Sequence, residues 1–152
     1  MKKINYLWLF GLLSIMALGF AACSDDDDEG LGSSTDLVGT WKLVNGYYVE
    51  KKNGKVISEE EDDGSDDERF IFMADGGFKS YINGRLSDDG TWTYKSGNIH
   101  IMFNDEYEEE YEDAKVLELT KTTLTIEYSE TEKAGGTTYE YYAKETYRKV
   151  TD

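Results

Sequence analysis

Arg69-Phe70-Ile71-Phe72-Met73-Ala74-Asp75-Gly76-Gly77-Phe78-Lys79-Ser80-Tyr81-Ile82-Asn83-Gly84 is the stretch that decides the fold. Two short runs rich in aromatic and β-branched residues flank Asp75-Gly76-Gly77, and Asn83-Gly84 closes the second. Such runs suit a pleated, half-buried surface. Asn-Gly and Asp-Gly pairs take the positive φ of tight hairpin turns. The same punctuation recurs outward, at Asn53-Gly54, Asp89-Gly90, Ser96-Gly97-Asn98 and Gly135-Gly136, and no proline interrupts the 152 residues. Strands are therefore expected at 40–51, 55–58, 69–73, 78–82, 90–95, 98–103, 107–112, 115–120, 123–130 and 138–150.

Period-two alternation supports this reading. Trp41, Leu43 and Asn45 share one parity; Leu124, Ile126 and Tyr128 alternate with Thr125 and Glu127; Tyr139, Tyr141 and Ala143 oppose Glu140, Tyr142 and Lys144. One apolar and one wet face suit antiparallel strands, and no helical stripe is seen beyond the leader. The expected class is all-β, an antiparallel meander of about 8–10 strands forming an up-and-down barrel or a sandwich. Closure would remove exposed sheet edges.

The N-terminus has a different composition. Met1-Lys2-Lys3 is basic, Ile4 to Phe20 is apolar and uncharged, and Ala21-Ala22 precede Cys23, the only cysteine. This is the pattern of a secretory signal. Phe20-Ala21-Ala22-Cys23 resembles the lipobox of bacterial lipoproteins, which implies cleavage after residue 22 and a lipid anchor on Cys23. Several acyl chains on one residue hold a protein stably at a membrane. Ser24-Asp25-Asp26-Asp27-Asp28-Glu29 reads as a solvated spacer. It also resembles the surface-export signal of Bacteroidota lipoproteins, which implies an outer-membrane location facing outward, with a periplasm-facing anchor as the alternative. The expected organisation is a signal peptide at 1–22, a lipidated cysteine and acidic tether at 23–35, and one β domain at 36–152.

Without residues 1–22 the chain carries 14 basic and 32 acidic residues, a formal charge of −18. Such a field repels nucleic-acid phosphates and anionic lipid surfaces, so nucleic acid is excluded as a partner. About 117 residues follow the tether, enough for one core and no second domain.

Leu37-Val38-Gly39-Thr40-Trp41-Lys42-Leu43 opens the domain, and Phe72-Met73-Ala74-Asp75-Gly76-Gly77-Phe78 is followed by Gly90-Thr91-Trp92-Thr93-Tyr94. The Gly-x-Trp start and this order of motifs resemble the lipocalin-like domain of Bacteroidota lipoproteins, over about residues 36–150. The resemblance implies a small barrel that takes an apolar or amphipathic ligand. It further implies a closed barrel end in which an arginine of the last strand packs across the first-strand tryptophan. Gly39, Trp41 and Arg148 occupy those places, and Trp41 and Arg148 are expected in contact. Phe72, Trp92, Tyr94, Tyr128 and Tyr141 are the candidate ligand-contacting residues. The Thr-Asp-Tyr loop motif of true lipocalins is missing and the domain is shorter than theirs. The second reading is therefore a barrel filled by its own side chains, an interaction module whose acidic surface recruits basic partners.

No constellation marks an enzyme. His100 is the only histidine, no Gly-x-Ser-x-Gly elbow is present, and Cys23 is committed to lipid. The scattered acids single out no glycosidase pair. No catalytic residue is assigned and no cofactor is implied. One histidine and no free cysteine leave nothing for zinc. The acid-rich runs at 59–68 and 105–113 read as a solvated loop and a charged strand face, with weak calcium binding as the sharper alternative. The acids of residues 25–36 imitate an EF-hand loop but lack flanking helices, so no metal site is assigned. The tyrosines beside acids suit sugar or cationic ligands, against a plainer role in cross-strand pairs.

Overall fold

The computed structural model describes residues 31–104 and 111–151. The residues expected to form the signal, Cys23 and most of the expected tether lie outside these, as do residues 105–110 of the second acidic run. The elements are α1 (Ser34–Leu37), β1 (Gly39–Lys52), β2 (Lys55–Asp62), β3 (Glu68–Phe72), β4 (Gly77–Ile82), β5 (Arg85–Lys95), β6 (Asn98–Phe103), β7 (Tyr111–Leu119), β8 (Thr123–Ala134) and β9 (Thr137–Val150). All pairings are antiparallel, in the order β2-β1-β3-β4-β5-β6-β7-β8-β9, with β1 also pairing β9. That last pairing closes β1 and β3 to β9 into an eight-stranded barrel. The fold is thus the closed antiparallel barrel, and the sandwich is excluded.

Turn chemistry works where expected. Asn53, Asn83 and Ser96 take positive φ, each followed by a glycine that does the same, as two-residue hairpin turns require. Asp89-Gly90 is the exception: it lies inside β5, not in a turn. Gly90 is needed for close approach, because a Cβ there would sit 2.0 Å from the Met102 carbonyl oxygen on β6. The two strands expected at 107–112 and 115–120 are corrected to one, β7, and Ala114 between them points into the core. The run at 59–68 is likewise only partly loop, since Glu59–Asp62 finish β2.

β1, β8 and β9 outrun the barrel. The near part of β1, Gly39–Lys42, pairs β3, while its far part, Gly46–Lys52, pairs β2. A bulge between Leu43 and Asn45 separates the two. It shifts the inward parity from Trp41 and Leu43 to Gly46, so Asn45, expected on the buried face, is exposed.

The core occupies the end of the barrel near α1, called here the lower end. Leu37, Trp41, Leu43, Phe72, Phe78, Ile99, Val116, Leu124 and Tyr147 are at most 1% exposed. α1 carries Leu37 beneath the barrel, held by Ser33, whose backbone N–H and hydroxyl both donate to the Asp36 carboxylate at 2.9 Å. The Trp41 indole N–H donates to the Leu37 carbonyl at 2.7 Å, and that of Trp92 to the Met73 carbonyl at 3.0 Å. Both buried donors are satisfied, so the rings contribute their burial without a desolvation penalty.

Candidate functional site

The residues singled out in the sequence divide between the two ends. Phe72 and Trp92 meet edge to face at 5.3 Å inside the lower core, and Phe72 also packs on Phe70 and Phe78. They fill space instead of lining it. Tyr94 packs against the same core and its hydroxyl donates to the Leu31 carbonyl at 3.2 Å. Tyr128 and Tyr141 sit higher. Tyr128 pairs across from the buried Ala143, and Tyr141 shares the parity of Ala143 on β9, so both belong to the inner face of the long-strand wall.

Trp41 is closed over by lysine, not arginine. Lys149 pairs with Trp41 across β9 and β1, and its Nζ stands 5.0 Å from the ring centroid while donating to the Asp36 carbonyl at 2.7 Å. Arg148 is exposed and pairs with Lys42 and Thr123 on the outer face. The expected Trp41–Arg148 contact is therefore corrected. Parity decides it, because Tyr147 is wholly buried and its immediate neighbour must point outward. Gly39, at φ 138, lies under the Lys149 side chain, which approaches a would-be Cβ to 2.7 Å.

Above the apolar layer the interior becomes acidic. Glu145 on β9 is 6% exposed. It accepts hydrogen bonds from the Tyr48 hydroxyl at 2.8 Å and the Tyr147 hydroxyl at 2.7 Å. Gly46, between them on β1, makes this possible: a Cβ there would meet the Tyr48 hydroxyl at 2.5 Å. Burial pushes the Glu145 carboxyl up, against the pull of the two hydroxyls. Glu68, at the start of β3, is pushed up to about 7, first by burial and then by the charges of Glu145, Asp62 and Asp66. Ser80 and Asp88 add a further polar pair, the Ser80 hydroxyl donating to Asp88 at 3.0 Å. On the wall above, Lys52 stands 5.5 Å from the Tyr139 ring centroid.

Neither Glu145 nor Lys149 is singled out by the sequence reading, and Tyr48 and Glu68 enter it only as members of the tyrosine set and of the acidic run at 59–68. The β9 alternation of Tyr139, Tyr141 and Ala143, carried on, places Glu145, Tyr147 and Lys149 inward; that signal was present. Nothing local marks Tyr48 or Glu68, whose placement depends on the β1 bulge and on barrel closure.

Other candidates fall elsewhere. His100 is on the outer wall, with Nδ1 bonded to the Asp113 carboxylate. A shallow depression of about 230 Å³ is lined by Asn98, Asp113, Lys115, Glu127, Ser129 and Tyr142, and Tyr128 borders it too. Among the described residues no three His, Cys, Asp or Glu side chains are grouped to hold a metal ion.

None of the curated proteins matches this sequence. The lipocalin-like domain family matches residues 37–126, from the turn that plugs the barrel through the inward Ile126 of β8. With that match over more than half of its length and a closed eight-stranded antiparallel barrel, the chain belongs to the lipocalin-like domain family.

Proposed function

We propose that the protein is a non-enzymatic lipoprotein, anchored through Cys23 at the outer membrane and facing outward, that holds a small amphipathic ligand in the upper part of its barrel. The observation that carries the ligand reading is the division of the interior. The lower half is packed with its own aromatic rings and leaves the ligand the upper half. There Tyr48, Tyr128 and Tyr141 offer aromatic surface, and Glu68 and Glu145 offer carboxyl groups in a partly dried setting. Such a lining suits a molecule with an apolar body and a donor-bearing or cationic end. A purely apolar ligand would offer nothing to the Glu68 carboxyl group.

The anchor reading rests on the leader and the lone cysteine. Labelled palmitate fed to cells should enter the wild-type chain and not Cys23→Ser, and protease added to intact cells should degrade a surface-facing protein. Label in both chains, or full protection, contradicts those parts. The ligand reading is tested by native mass spectrometry of the chain from Ser24 onward after exposure to extracts of its own cells. A reproducible added mass supports it. An unmodified mass under every extract favours instead the filled interaction module.

A further inference from the structure

Among the described residues, β2 is the one strand outside the barrel ring, and it ends the sheet. Among the described residues, no strand pairs with its far side. Alternate N–H and C=O groups of Lys55–Asp62 therefore point away from β1 along an open edge. Val56 and Ile57 are 47% and 51% exposed there, and a bulge at Ile57 shifts the register with β1. After Ser58, the four acids Glu59, Glu60, Glu61 and Asp62 are consecutive.

We propose that this edge docks an extended basic segment of a partner protein, which adds to the sheet as a further strand. Backbone hydrogen bonds along β2 supply the register, Val56 and Ile57 an apolar anchor, and the acidic run selects lysine and arginine over other side chains. A second copy of this chain fits worse. Each copy would bring a net charge near −16 and the same four acids to the seam. A strand that merely guards its edge carries charge without exposed Val and Ile; here both are present. The inference rests on the open edge and its backbone groups and does not depend on the ligand reading.

Hydrogen exchange on the full chain in detergent micelles provides the test. The probe is a peptide of 8 residues, matched to β2, alternating lysine and threonine; a glutamate–threonine peptide is the control. The lysine peptide should slow exchange at amides within 55–62 by about tenfold or more, and the control should not. Glu59→Lys/Glu61→Lys should weaken binding at least about tenfold, while Glu118→Lys/Glu132→Lys, the same charge change away from the edge, stays within about twofold. Glu59→Gln/Glu61→Gln keeps the acceptor for the Tyr47 hydroxyl and should give a smaller loss in the same direction, which guards against a misfolded reversal variant. Binding without slowed amides in β2, or equal weakening by both charge-reversal pairs, overturns the proposal.

Discussion

The lower and upper halves of this barrel are built by the same strands and obey opposite rules. Below, β1 turns in Trp41, and β3, β4 and β9 turn in Phe70, Phe72, Phe78 and Tyr147, whose four rings touch at centroid distances from 4.9 to 6.4 Å. Above, the same β9 turns in Glu145, and β3 turns in Glu68. Packing density stabilises the first region. The second is tolerated because Tyr48 and Tyr147 satisfy one carboxylate and protonation relieves the other. A single fold can thus carry a rigid apolar base and a buried acidic layer above it, with the β1 bulge at their boundary.

The comparison is broken most severely from below. Trp41→Ala should remove about 3–5 kcal/mol of stability, measured by urea unfolding. A loss under about 1 kcal/mol would mean that the base is not close-packed. The upper half should respond next, through pH. Glu68 holds its proton to about pH 7 in the folded chain against 4.5 when free. Between those values the folded state binds the additional proton. The contribution is complete below about pH 4.5 and is lost as pH rises through 7, up to about 3 kcal/mol in all. Melting temperature should therefore fall from pH 5 to pH 8, and Glu68→Gln should flatten that part of the curve. An unchanged slope in the variant would place the titration elsewhere. Asp36 and Asp67, held low by Ser33 and Arg69 respectively, act only below about pH 4 and in the opposite sense.

A methyl group at Gly46 probes the boundary. Gly46→Ala should cost about 1–3 kcal/mol by displacing the Tyr48 ring from Glu145. Tyr48→Phe, combined with it, should cost little more, since the bond is already lost; additive losses in thermal unfolding would count against that coupling. The smallest effect separates two neighbours. Lys149→Ala should lose about 0.5–2 kcal/mol and Arg148→Ala less than about 0.5 kcal/mol, and the reverse order would restore arginine as the closing residue.

The reasons for these assignments were unevenly visible in the sequence. Local chemistry showed the strands and hairpins, because Asn53-Gly54 and Asn83-Gly84 need no distant partner to turn. Asp89-Gly90 misled because close packing and turning both call for glycine, and only the neighbouring strand distinguishes them. Trp41 was legible as the barrel base from its Gly-x-Trp setting. Its partner was misassigned because a family expectation for arginine was set above the strand's own alternation, which put Lys149 inward. Phe72 and Trp92 looked like ligand contacts because aromatic residues look alike in sequence whether they fill a core or line a chamber. The acidic interior was hidden for a further reason: among 32 acids, nothing distinguishes the few that barrel closure buries.

The central claim, that the ligand occupies the upper half while the lower half is solid, is tested most directly by native mass spectrometry of three chains exposed to the same cell extract. These are wild type, Tyr141→Ala/Glu145→Gln in the upper half, and Trp92→Phe in the lower. The account predicts an added mass on wild type and on Trp92→Phe, and none on the upper-half variant. An added mass lost by Trp92→Phe and kept by Tyr141→Ala/Glu145→Gln would contradict it.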